Sequence, residues 1–192
     1  HIALEQGLSQ SNVQSMVQDN QGYIWFGTQD GLNRYDGYSF KVYKHDPYNK
    51  FTLSSNVIKT LLIDESGVLW IGTSSGLNRY DSRSNQFERV GLPNDDGKVS
   101  YNQRIETLLS DSTGKLWVGT YNGLFTISPE QEVSIYRSDS SDKSYISNKF
   151  VTTIFEDSNN TVWVGTVDGL NQYMRSNDAF IHWKEVDGLS NG

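Results

Sequence analysis

An all-β fold, a β-propeller of four tandem four-stranded antiparallel blades, is predicted by three regularities of the chain. The first is a repeat. Trp25-Phe26-Gly27-Thr28 returns as Trp70-Ile71-Gly72-Thr73, Trp117-Val118-Gly119-Thr120 and Trp163-Val164-Gly165-Thr166, with Trp spacings of 45, 47 and 46 residues. The second is a constant surround. Six residues before each Trp stands an acid (Asp19, Asp64, Asp111 and Asp157), and six after it a Gly-Leu pair (Gly31-Leu32, Gly76-Leu77, Gly123-Leu124 and Gly169-Leu170). The third is composition: five Trp and eleven Tyr with 17 Gly and 3 Pro suit short aromatic strands joined by Gly, Asn and Asp turns better than helices. Four strands in every period of this length mark a propeller blade, and a β-helix would need a shorter period.

Within each unit the first strand precedes the Asp. Residues 57–63 and 105–109 read there as near-continuous apolar runs, which predicts strands buried on both faces. A turn follows: Asp19-Asn20-Gln21-Gly22, Asp64-Glu65-Ser66-Gly67, Asp111-Ser112-Thr113-Gly114 and Asp157-Ser158-Asn159-Asn160. The last position is expected at positive φ, which Gly adopts freely and Asn next best. The second strand holds Trp-x-Gly-Thr, whose Gly is expected to admit a neighbouring aromatic ring or backbone at close range. Asp30-Gly31, Ser75-Gly76, Asn122-Gly123 and Asp168-Gly169 then make tight hairpins. The third strand reads Leu32-Asn33-Arg34-Tyr35-Asp36, Leu77-Asn78-Arg79-Tyr80-Asp81 and Leu170-Asn171-Gln172-Tyr173, whereas blade three departs with Leu124-Phe125-Thr126-Ile127. A more polar fourth strand at 40–43, 87–90, 133–136 and 180–183 protects the outer edge against pairing with other chains.

The blades are expected at 11–44, 56–90, 103–137 and 149–186. Residues 1–10 are expected to supply a closing strand and linker, and 187–192 the start of a fifth, truncated blade. The last expectation comes from Glu5-Gln6-Gly7-Leu8-Ser9 matching Glu185-Val186-Asp187-Gly188-Leu189-Ser190. The chain is thus expected to be an interrupted series whose end faces are apolar. Two copies pairing about a two-fold axis into an eight-bladed ring would cover them.

Several functions are disfavoured by what the 192 residues contain. Net charge is −7 with no cluster of Lys and Arg, so neither nucleic acid nor an anionic membrane is an expected partner. No apolar run approaches the roughly 20 residues that cross a bilayer. Cysteine is absent, which removes disulfides, thiolate nucleophiles and Cys-based zinc sites. His1, His45 and His182 lack metal-ligand spacing, so no metal and no cofactor is expected.

Together these residues resemble the two-component regulator propeller repeat, a Gly-Leu-Ser, an apolar strand, Asp-x-x-Gly-x-Leu-Trp-x-Gly-Thr and then Gly-Leu-Asn-Arg-Tyr-Asp. The resemblance covers the whole chain, and the stretch from Gly7-Leu8-Ser9 to Asp36-Gly37-Tyr38 looks like the first repeat of such sensors. It implies an N-terminal fragment of a seven-bladed ring, in the periplasmic part of a receptor with one membrane helix. It further implies an output by a histidine kinase or a diguanylate cyclase, and in many members an oligosaccharide signal. The implied partners are the remaining blades of the same receptor and an oligosaccharide ligand.

Strict repetition argues that the motif residues (Asp19, Trp25, Gly27, Asp64, Trp70, Gly72, Asp111, Trp117, Gly119, Asp157, Trp163 and Gly165) are architecture rather than recognition. A glycosidase needs two carboxylates about 5 to 10 Å apart, and one Asp per blade does not supply such a pair; no catalytic residue is expected. Recognition belongs where the blades differ. On the first strand the equivalent polar positions are Gln14, Lys59, Glu106 and Thr152, all different. The variable connections from fourth to first strand carry Tyr48, Phe51, Tyr101 and Tyr145 towards one rim, and loops on a rigid scaffold commonly bind ligands. These side chains are the candidate ligand-binding set for a non-catalytic sensor. A glycan-cleaving or lyase propeller and a protein-interaction platform are the alternatives.

Overall fold

A computed structural model describes residues 7–94, 96–138 and 145–183. The expected closing strand at 1–4, the fifth-blade start at 187–192 and the end of the fourth blade at 184–186 lie outside the described residues. Four antiparallel four-stranded sheets make up the described chain, each with strands in sequence order, and no helix occurs among the described residues. Blade one is β1 (Val13–Gln18), β2 (Ile24–Thr28), β3 (Gly31–Tyr35) and β4 (Phe40–Tyr43); blade two is β5 (Ile58–Ile63), β6 (Leu69–Thr73), β7 (Gly76–Asp81) and β8 (Gln86–Val90). A short hairpin, β9 (Leu92–Pro93) with β10 (Val99–Ser100), leads on. Blade three is β11 (Ile105–Ser110), β12 (Leu116–Thr120), β13 (Gly123–Ile127) and β14 (Val133–Tyr136); blade four is β15 (Val151–Glu156), β16 (Val162–Thr166), β17 (Gly169–Met174) and β18 (Ala179–Trp183). Contacts group the chain into two units, His1–Ile105 and Glu106–Gly192, each centred on one pair of blades.

The turn after the first strand follows the conformational expectation. Gly22, Gly67 and Gly114 have φ of 88°, 80° and 78°, and Asn160 takes their place at 60°. Each turn Asp does more than close the turn. One carboxylate oxygen accepts the backbone N–H groups two and four residues on. The other accepts the indole N–H of the Trp on the next strand, at 2.7 Å for Asp19–Trp25 and 2.8 Å for Asp64–Trp70, Asp111–Trp117 and Asp157–Trp163. The six-residue interval is therefore a hydrogen bond across a hairpin.

Behind that bond the Trp packs between blades. Trp25 stacks with Tyr43 (5.7 Å) and meets Tyr80 edge-on (4.9 Å), and Phe87 closes the cluster against Tyr43 (5.3 Å). The second unit repeats it with Trp117, Tyr136, Tyr173 and Phe180 at 6.0, 4.8 and 5.2 Å. The buried hydroxyls are satisfied as buried polar groups must be. Tyr43 and Tyr80 both donate to Asn85 Oδ1, and Tyr136 and Tyr173 both donate to Asp178 Oδ1. Burial, followed by the bond to Asp178, pushes the Tyr136 hydroxyl far above the usual phenol range and Tyr173 up to about 12, so both remain donors.

A second network ties the Gly-Leu-Ser segment to the third strand. Asn33, Asn78 and Asn171 are fully buried. Each accepts the backbone N–H of Ser9, Ser54 or Ser147 and donates to that serine's Oγ, which in turn bonds Thr28, Thr73 or Thr166. Blade three has Tyr101 and Phe125 at the Ser and Asn positions. Replacing both partners together avoids a stranded buried amide.

Two expectations are corrected by the packing. The neighbour at the Trp-x-Gly-Thr glycine is neither an aromatic ring nor backbone but an aliphatic side chain. A Cβ on Gly27 would lie 2.6 Å from Ile58 Cγ2, one on Gly119 2.7 Å from Val151 Cγ1, and one on Gly72 2.6 Å from both Ile105 Cγ2 and Thr60 Cγ2. Gly72→Ala is accordingly expected to destabilise by about 1–3 kcal/mol through overpacking, measured by urea unfolding; an unchanged midpoint would contradict the close approach. The first strands, moreover, are not buried on both faces. β1 alternates half-buried and exposed residues, with Met16 62% exposed. In β5 and β11 the buried residues are the first and fourth, Ile58 and Leu61, Ile105 and Leu108. A one-residue shift of register at the second position accounts for this spacing in β5, and in β15 with Val151 and Ile154, because an extra residue resets the alternation of faces; β1 carries the same shift.

Candidate functional site

That register shift falls on the polar candidates. β1 pairs Val13 with Thr28 and Ser15 with Gly27, leaving Gln14 as the extra residue; Lys59 occupies the same place in β5 and Thr152 in β15. Glu106 holds the corresponding second position of β11. A bulge releases a residue from the ladder and re-aims its side chain, which is why bulges collect beside functional sites. Each bulge lies near the start of a first strand, at the end of the blade that also carries the connections from fourth to first strand.

Around these residues the scaffold is fixed and the chemistry varies. Gln14 is exposed and donates to Asn12 Oδ1 at 3.0 Å, whereas Thr152 is exposed and donates to the Gly165 carbonyl at 3.1 Å. Lys59 and Glu106 are half-buried. In the first unit β1 and β5 lie side by side, and Leu61 N–H donates to Ser15 Oγ at 3.0 Å, which places Gln14 and Lys59 at one level of neighbouring strands. An amide beside an ammonium offers donors and one acceptor to a polar, oxygen-rich ligand.

The aromatic candidates divide. Phe51 and Tyr101, both about half exposed, line one groove of about 670 Å³ along β8, together with Lys50 and Arg89. Tyr48 stands 98% exposed and does not line that groove. Tyr145, in the second unit, stacks on His182 at 4.4 Å, and His182 Nδ1 bonds Asn171 Oδ1 at 2.8 Å. An aromatic pair that sequence reasoning passed over is exposed Tyr121 against half-buried Phe150, 4.6 Å apart, with Tyr121 in the hairpin turn between β12 and β13. Its signal was present, since the other blades have Gln29, Ser74 and Val167 at that turn position.

The four turn carboxylates serve the scaffold. Each is occupied by its own turn and its own Trp, and among the described residues no group of three or more His, Cys, Asp or Glu side chains is arranged to hold a metal. Asp111 shows how completely such a carboxylate is used. Burial pulls its pKa up, but the bonds from Thr113, Trp117 and Lys115 outweigh that and hold it below the ordinary value.

Known proteins share this scaffold. Over 95% of its length the chain superposes on the extracellular domain of the hybrid two component system BT3049 of B. thetaiotaomicron, with a TM-score of 0.82 and 27% identity, covering 26% of that domain. The extracellular domain of BT4673 from the same organism has the same fold, with a TM-score of 0.78 at 22% identity over 99% of the chain and 27% of that domain. Histidine kinase P4 of Formosa agariphila is 48% identical over 48 residues, which are 25% of this chain and 4% of that protein. The chain thus spans about a quarter of the extracellular domains it matches and far less of the kinase. The family model for the two component regulator propeller matches residues 7–30, 52–75, 100–122 and 144–168, half of the chain and one stretch in every blade. With the repeated Asp–Trp bond and the Gly-Leu-Ser network behind those matches, the chain belongs to the two component regulator propeller family.

Proposed function

We propose that this chain is part of the periplasmic sensor region of a bacterial transmembrane receptor, and that it recognises an oligosaccharide without catalysing a reaction. The observation that carries the reading is the split between an invariant scaffold and one variable position. The Asp–Trp bond recurs in all four blades, while the second position of the first strand reads Gln14, Lys59, Glu106 and Thr152. Likeness to the extracellular domain of a hybrid two component system supports the setting, and the local match to a histidine kinase supports a kinase output. Binding would act by preferring one of two arrangements of the receptor, since a ligand shifts an equilibrium only by its difference in affinity.

The test is thermal unfolding of the complete ectodomain against neutral and acidic oligosaccharides. A ligand at 100 times its Kd should add about 2.7 kcal/mol of stability. A shift from one glycan class is the expected result. No shift from any of them would overturn the oligosaccharide reading and direct the search to protein partners.

A further inference from the structure

The opposite end of blades one and two carries a groove of about 730 Å³, bounded by the turns after β1 and β5 and by the β7–β8 turn. Three arginines line it: Arg34 and Arg79 at matching positions of β3 and β7, and Arg83 in the β7–β8 turn. At the motif-arginine position blades three and four have Thr126 and Gln172, and at the Arg83 position they have Glu130 and Ser176. The second unit's one arginine in this region, Arg175, is bound to Asp111 at 3.1 Å and Glu156 at 2.8 Å. Arg34 and Arg79 belong to the repeat and only Arg83 departs from it, so what sets this groove apart is that blades one and two keep the motif arginine side by side and blade two adds a third.

The groove's charges are unevenly occupied. Its acids are already used: Asp19 accepts from Gln21, Tyr23 and Trp25, Asp81 from the Arg83 backbone and Ser84, and Glu88 pairs with Arg79. Among the described residues no carboxylate stands at ion-pair distance from the guanidinium of Arg34 or Arg83. Arg34 is nevertheless held in place, its Cζ 4.4 Å from the centre of the Tyr23 ring and 5.8 Å from that of Trp25. A guanidinium fixed on an aromatic face keeps its planar fork of donors for an oxyanion and loses little freedom on binding.

We infer that this groove is a binding site for an oxyanion-bearing ligand, a carboxylate, sulfate or phosphate held by Arg34 and Arg83. It is independent of the rim proposed for recognition above, because it lies at the other end of the blades.

The experiment is isothermal titration of the chain with glucuronate, glucose 6-sulfate and glucose 6-phosphate, with glucose as the uncharged control. At least one anion should bind saturably, more weakly as salt rises, and glucose should not; the arm that binds names the oxyanion. Arg34→Thr and Arg83→Ser install residues that other blades carry at those positions. Each is expected to weaken binding about tenfold, as loss of a charge-assisted hydrogen bond does, while Lys98→Gln, remote from the groove, leaves it unchanged. Absence of saturable binding by all three anions, or binding indifferent to both arginine variants, would overturn the inference.

Discussion

Trp117→Ala is expected to remove about 3–5 kcal/mol of stability, the usual loss for a large aromatic deleted from a core. Trp117 is 0% exposed and packs in one cluster with Leu124, Tyr136, Val151, Ile154 and Tyr173, so its loss opens a cavity between two blades. It also removes the indole N–H from a buried carboxylate oxygen, which then keeps Arg175 as its one donor. Trp163 is the same residue of the repeat but only half-buried, beside Trp183 at 6.5 Å. Trp163→Ala should therefore cost clearly less. Urea unfolding of the two variants side by side tests this, and equal losses would show that burial between blades is not what the Trp contributes.

Asp111→Ala is expected to be comparably damaging, at about 3 kcal/mol or more, because it leaves the buried Trp117 indole N–H and two turn N–H groups without their acceptor, each at a cost of about 1–3 kcal/mol when buried. Five bonds end on this carboxylate: from Thr113 N–H, Thr113 Oγ1 and Lys115 N–H on one oxygen, and from Trp117 and Arg175 on the other. The pH dependence has a defined sign. The folded-state pKa of Asp111 lies below the unfolded value, so its contribution is complete above the ordinary carboxylate range and is lost as pH falls through the folded value. Asp157 is lowered too, with the indole of Trp163 the largest cause. The wild-type chain should thus lose stability below a pH of about 4, and Asp111→Asn should flatten that decline. An Asp111→Asn chain with the same acid slope as the wild type would contradict the assignment.

The parts of this molecule that repeat were legible, because a period of about 45 residues with fixed Asp, Trp and Gly-Leu offsets leaves few alternatives. The positive φ of Asn160 could be read from its three Gly counterparts. What joins the motif residues could not. A spacing of six says nothing of a hydrogen bond across a hairpin until the turn geometry is known, and a spacing of 24 does not announce that Ser54 is bound to Asn78. Blade three held the clue, since Tyr101 and Phe125 depart from the pattern together. The bulges were hidden for a different reason. An apolar run such as 58–63 fits a strand buried on both faces as well as a bulged one, and only the pairing register separates them. Of the candidate site, the four variable polar positions were legible as differences; the place of Gln14, Lys59 and Thr152 at a register shift was not. The arginine groove was missed because Arg34 and Arg79 belong to the repeat, so attention to varying positions passed them by.

The central claim is that the repeated residues build the scaffold while the bulged residues recognise the ligand. It is tested most directly by carrying Gln14→Ala with Thr152→Ala into the complete ectodomain and repeating the glycan thermal-shift series. Both side chains are exposed, so the unliganded melting temperature should stay close to the wild-type value. The account predicts that the ligand-induced shift then falls sharply or disappears. A double variant that keeps the full shift would contradict it and place recognition elsewhere on the blades.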